Sequence, residues 1–148
     1  FPEAFYDRVE DFINMPERKR FDSSEAYYDC LFHEILHWTG HSERLNRREI
    51  ADSTKFGSPE YSLEELTAQI GASFLSSLTG IAEKVEVNSA AYIQGWLKAL
   101  KNDRKFIVVA SSYAQKGVEY ILNPKNADGS DDPIEWLKRK APELKSKK

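Results

Sequence analysis

The sequence predicts an α+β domain, predominantly helical, with a short edge strand and about four helices. Three observations carry this reading. Four stretches repeat apolar residues at helical spacing between recognisable start and stop residues. One run near the N-terminus mixes β-branched and aromatic residues with polar ones, as a strand does. The length of 148 residues suits one domain, and the longest uninterrupted apolar run, Phe106 to Ala110, is far short of the ~18–20 residues a membrane span needs.

Residues 8–15, Arg-Val-Glu-Asp-Phe-Ile-Asn-Met, read as an edge strand that stops at Pro16. Asp22-Ser23-Ser24-Glu25 then sets an N-cap acceptor three residues before a Glu, so a helix starts here. Its Tyr27, Leu31, Ile35 and Trp38 share one face, and Gly40 is expected to end it in the left-handed conformation. From His41 to Pro59 the chain is polar and aperiodic, a connection of the kind that often carries function. Ser62-Leu63-Glu64-Glu65 opens a second helix, apolar at Leu66, Ile70, Phe74, Leu75 and Leu78 and closed by Gly80. Asn88 or Ser89 is expected to cap a third, from about Ala90 to Lys101, and Asp103 a fourth, to about Leu122. Residues 1–122 thus form the domain, and 123–148 a loop, a short helix over 134–140 and a basic tail packed on it or trailing it. With neither an initiator Met nor a signal-like segment at its start, the chain reads as a piece of a longer protein.

Charge and cysteine content narrow the chemistry. With 21 basic and 24 acidic residues the net charge is −3, which supplies no global drive toward nucleic acid. A single cysteine, Cys30, allows neither an internal disulfide nor a cysteine-built zinc knuckle, and fits a reducing compartment. A buried, inert thiol is the expectation for it.

All three histidines fall within His33-Glu34-Ile35-Leu36-His37-Trp38-Thr39-Gly40-His41. This is His-Glu-x-x-His, a pattern for which about 0.006 chance matches are expected in a chain of this composition. On a helix His33 and His37 are one turn apart, so both imidazoles can reach one tetrahedral Zn²⁺ at about 2.0–2.1 Å. Glu34 lies about 100° round the axis, beside the metal, where it can take a proton from a water whose pKa the metal lowers toward ~7.

A third protein ligand is required, with the fourth position left to water. His41 lies beyond Gly40 and is one candidate; it could also stabilise an oxyanion as a catalytic group, or simply benefit from the helix dipole. Glu43 stands where the longer pattern His-Glu-x-x-His-x-x-Gly-x-x-His has its third histidine. Glu65 follows His37 by 28 residues in Glu65-Leu66-Thr67-Ala68-Gln69. That spacing resembles the gluzincin plan, in which a glutamate on a following helix ligates zinc and an acceptor four residues later, here Gln69, steadies a histidine. Glu65 also reads as a capping-box partner of Ser62, and Glu64 is the fallback ligand.

Several separated motifs then fall into one order: Tyr6-Asp7-Arg8-Val9, Met15-Pro16, Tyr27-Tyr28, the histidine motif, Arg44-Leu45-Asn46-Arg47, Glu64-Glu65-Leu66 with Gly71-Ala72, Tyr92-Ile93-x-x-Trp96-Leu97, and Lys101-Asn102-Asp103. Over roughly residues 6–122 they resemble the C-terminal metallopeptidase domain of ArdC-type antirestriction proteins. The resemblance implies a zincin-like, gluzincin-type fold and a zinc peptidase acting on a protein or peptide, with His33, His37 and Glu65 on one Zn²⁺ or another divalent transition metal and Glu34 as base. It also implies a bacterial or mobile-element source and cytoplasmic action during DNA transfer. Single-stranded DNA would be bound only through an upstream domain absent here, and no membrane is involved. Gln69 departs from the family, which usually has an acidic residue there. A neutral acceptor lowers ligand basicity and typically costs about 10–100-fold in metal affinity or activity.

Two other functions fit the same residues: a non-catalytic binding or protection module with a structural metal, and a peptidase toxin domain. Elsewhere the bland readings are preferred. Trp38, Trp96 and Trp136 read as core rather than as sugar or base platforms, Arg44, Arg47 and Arg48 as structural partners of the acidic N-terminal third, and Lys98, Lys101 and Lys105 as one solvated face.

Overall fold

A β-hairpin, rather than one strand, opens the chain in the computed structural model, which describes residues 3–47, 56–101 and 103–123. The expected helix over 134–140, the basic tail, Arg48 and Trp136 lie outside these residues. Strand β1 (Phe5–Asp7) pairs antiparallel with β2 (Phe12–Asn14), Tyr6 opposite Ile13. The expected strand over 8–15 is interrupted because Asp7 Oδ1 accepts the backbone N–H groups of Val9 and Glu10, each at 2.9 Å, and Asp11 adopts φ +52. A short polar side chain that bonds its own backbone makes a turn out of a strand.

After a 3₁₀ turn at Arg18–Arg20, helix α1 runs over Ser24–Thr39. Ser23, one residue later than expected, is its N-cap and accepts from Ala26 N–H at 3.0 Å; Glu25 pairs with Lys84 instead of closing a capping box. Helix α2 (Pro59–Leu78) begins earlier than expected, with Ser58 as N-cap and Pro59 in the first turn. Ser62 and Glu65 are therefore interior residues, and the capping-box reading of Glu65 fails. Helix α3 (Ala82–Ala99) also begins early, so Asn88 and Ser89 sit inside it rather than at its start. Its first turn, Ala-Glu-Lys-Val, contains good helix formers, and Lys84 is tied to α1 through Glu25. Helix α4 (Arg104–Leu122) starts on Asp103 and ends at Leu122, as expected.

Helix α2 is the central element, packing on α1, α3 and α4. Leu31, Phe32, Ile35 and Leu36 of α1 meet Ala68, Ala72 and Leu75 of α2 and Ile13 of the hairpin in one core; Leu63, Leu66, Leu100 and Ala110 form a second. Small residues on α2 allow the close approach: a Cβ on Gly71 would fall 2.5 Å from the Leu36 side chain. Trp38 and Trp96 pack against these cores, as expected, with the Arg44 guanidinium 4.0 Å over the Trp38 ring. Lys98, Lys101 and Lys105 are exposed but share no helical face, because they belong to α3, to the connection at φ +57 and to α4 respectively. No helix among the described residues is long and apolar enough to cross a membrane.

Candidate metal centre

The packing of α1 on α2 brings the histidine motif against the first turns of α2. His33 Nε2 lies 3.1 Å from His37 Nε2 and 3.2 Å from Glu65 Oε2, and His37 Nε2 lies 3.4 Å from Glu65 Oε1. These separations match the edges of a tetrahedron with bonds near 2.0–2.1 Å, which are about 3.3–3.4 Å. The outward nitrogens have separate partners. His33 Nδ1 is 3.2 Å from Gln69 Oε1, and His37 Nδ1 is 3.0 Å from Glu64 Oε1.

Those partners fix the protons. Gln69 donates its amide N–H to Ser89 Oγ of α3 at 3.1 Å, so its oxygen faces His33 and accepts from Nδ1. Glu64 as a carboxylate can only accept, so His37 also donates from Nδ1. Both Nε2 atoms of the neutral rings are then lone pairs, aimed at each other and at the Glu65 carboxylate. Three acceptors this close require a cation between them, and two imidazoles with a carboxylate are a donor set that Zn²⁺ and related divalent ions take. A proton serves the same need in the metal-free chain. Burial works against a charged His37, but Glu64 and Glu65 on its two nitrogens outweigh it and raise its pKa to about 10. Burial likewise opposes ionised Glu64 and Glu65, yet Arg47 and His37 hold Glu64, and His33 and His37 hold Glu65, below the usual carboxylate range.

The centre opens into a cleft of about 410 Å³, lined by Ala4, Phe5, Tyr6 and Arg8 of the hairpin segment and by Glu34 and Tyr61 beside His33, His37 and Glu65. Glu34 is only 8% exposed and lines the cleft. Tyr61 stacks edge-on against Trp96 at 5.8 Å. Burial and the neighbouring Glu65 push its phenol up to about 12, so it remains a donor.

Of the residues expected at the site, His33, His37, Glu65, Glu34 and Gln69 come together. His41 does not join them: its Nδ1 accepts the Glu43 backbone N–H at 3.2 Å, and it clusters with Asp11 and Glu43 away from the cleft lining. The reason lies at Gly40, which caps α1 at φ −80 rather than in the left-handed conformation and leads into a turn stitched by bonds from Arg44 and Asn46 N–H to His41 O, at 2.9 and 3.0 Å. Glu64, the fallback ligand, faces the other nitrogen of His37, Nδ1, instead of the His33, His37 and Glu65 donor cluster. Tyr61 was not foreseen, since it lies at no fixed spacing from the histidines. Cys30 is half-buried, and burial followed by Glu34 and Asp29 raises its thiol to about 12.

Fold and site together define a class: the chain belongs to the zincin-like metallopeptidase family, which it matches over residues 1–113. Its structural relatives include the antirestriction protein ArdC from plasmid R388. The Mn(II)-bound form aligns with TM-score 0.67 and 38% identity over 87% of this chain and 46% of that one, and the metal-free form with TM-score 0.62 and 37% identity. In sequence it is similar to the DNA primase TraC of Escherichia coli, 40% identical over 119 residues, which are 80% of this chain and 8% of the primase. It also matches the uncharacterized protein y4eC of Sinorhizobium fredii, 33% identical over 119 residues and 38% of that protein. The chain thus spans less than half the length of each.

Proposed function

We propose that this chain is a zinc-dependent peptidase domain of an ArdC-like antirestriction protein. The observation that carries the reading is the convergence of the His33, His37 and Glu65 donor atoms with a buried Glu34 lining the same cleft. Those three side chains would hold the cation, which when bound supplies Lewis acidity to the attacking water and the substrate carbonyl. Glu34 accepts the proton of that water and returns it to the leaving amine. Tyr61 offers its hydroxyl to the carbonyl oxygen as charge develops there. The peptide lies extended along the hairpin side of the cleft, adding to β1 as a strand. Single-stranded DNA is engaged through regions outside this chain, in the cytoplasm.

Glu34→Gln tests the reading, because this side chain faces the cleft without touching the metal donors. The variant is expected to keep one metal per chain and to lose about 10²–10⁴-fold in hydrolysis of an unstructured protein substrate. A second reading, a binding module whose metal is structural, is favoured by the neutral Gln69 on His33. Its signature is a metal-loaded wild type that hydrolyses no more than Glu34→Gln.

A further inference from the structure

Arg47 lies in the turn after α1, outside every motif that names a ligand, yet it is only 5% exposed. Its guanidinium makes four bonds. Nε donates to Glu64 Oε2 at 2.9 Å and Nη2 to Glu64 Oε1 at 2.6 Å; Nη1 donates to Thr39 Oγ1 at 2.9 Å and Nη2 also to the Leu36 carbonyl at 2.6 Å. Leu36 immediately precedes His37, and Glu64 immediately precedes Glu65. One planar cation therefore joins the backbone beside one metal ligand to the side chain beside another.

We infer that Arg47 is a positioning residue for the metal centre, acting through Glu64 to hold His37 with Nδ1 protonated and Nε2 aimed at the cation. The inference rests on the metal reading above. Without Arg47, Glu64 is a buried carboxylate near Glu65 with no compensating charge, which favours its turning away from His37. Lysine is no substitute, because a compact ammonium cannot span four acceptors in a fixed plane. Gly40 belongs to the same device. Its φ of −80 suits any residue, but a Cβ there would fall 2.7 Å from Arg47 Nη2, so the glycine is required for the space the guanidinium fills.

Zinc dissociation constants of the full chain, measured by competition with a chromophoric chelator, test this alongside thermal unfolding of the metal-free forms. Arg47→Lys and Gly40→Ala are each expected to weaken zinc about 10–100-fold, as loss of a partner behind a ligand does. The double variant Glu64→Gln/Arg47→Lys is expected to lose no more than the weaker-binding single variant, since both changes break one path. Fully additive losses, or affinities within about twofold of wild type in both Arg47→Lys and Gly40→Ala, overturn the inference. Should Arg47→Lys not fold, Gly40→Ala alone decides, as it alters neither a ligand nor a charge. A wild type that binds no zinc at all overturns the metal centre itself and the strut with it, an outcome distinct from unaffected variants.

Discussion

His33 and His37 are supported unequally: an amide stands behind one and an arginine-held carboxylate behind the other. A carboxylate raises the basicity of the ring it accepts from, so His33 is the weaker donor. Gln69→Glu is therefore expected to tighten zinc binding by up to about tenfold, with the Ser89 hydroxyl turning to donate to the new carboxylate; chelator competition reads the change, and unchanged or weaker binding contradicts it. At this scale the sequence was legible wherever chemistry fixes spacing. His33, His37 and Glu34 follow from one helical turn, and Glu65 with Gln69 from the resemblance to the gluzincin plan. Arg47 and Tyr61 were not legible, because what recruits them is the approach of α1 to α2, and no local period encodes that. Glu64 could be read only as a fallback ligand for a related reason: periodicity places it on the helix without saying that Arg47 and His37 would bond it.

Helix ends and the hairpin were the least legible elements. The caps of α1 and α4 are single polar residues at breaks in pattern, and Asp103 could be read directly. The starts of α2 and α3 could not, because serines and an asparagine inside a helix imitate caps, and Ser62 is the instructive case. It is 1% exposed and its hydroxyl has no hydrogen-bond partner among the described residues, a desolvated group the helix does not use. Ser62→Ala is expected to stabilise the domain by about 1 kcal/mol in denaturant titration, from the lost desolvation penalty and better helix propensity. The hairpin is tied to the turn after α1 by Asp11, which accepts from Tyr6 at 2.7 Å and from Arg44 through both oxygens. Burial opposes ionisation of Asp11, but Arg44, Tyr6 and, more weakly, His41 outweigh it and hold its carboxyl below the usual range. A lowered pKa means stability that is present above the ordinary carboxylate range and lost as pH falls through the folded value. The wild-type melting temperature is therefore expected to fall more steeply below about pH 4 than that of Asp11→Asn, and parallel curves contradict the tie.

As a whole the described residues form a helical frame around α2 with a candidate metal site and a hairpin wall, and charge is the property most relevant to DNA. The first 32 residues hold four basic and eight acidic side chains, and the exposed Lys98, Lys101 and Lys105 are spread over two helices and a connection. Strong phosphate binding draws on roughly 6–10 contacts. Anisotropy of a labelled oligonucleotide is expected to show weak or no binding of single-stranded DNA by this chain at ~150 mM salt; submicromolar binding with a steep salt slope contradicts that.

The central claim is that His33, His37 and Glu65 hold one divalent metal, and elemental analysis of protein purified without chelator from metal-replete cells tests it most directly. The account expects one equivalent in the wild type, full retention in Glu34→Gln, His41→Ala and Glu43→Ala, and loss in Glu65→Ala. Stoichiometric metal in Glu65→Ala, or none in the wild type, would contradict it.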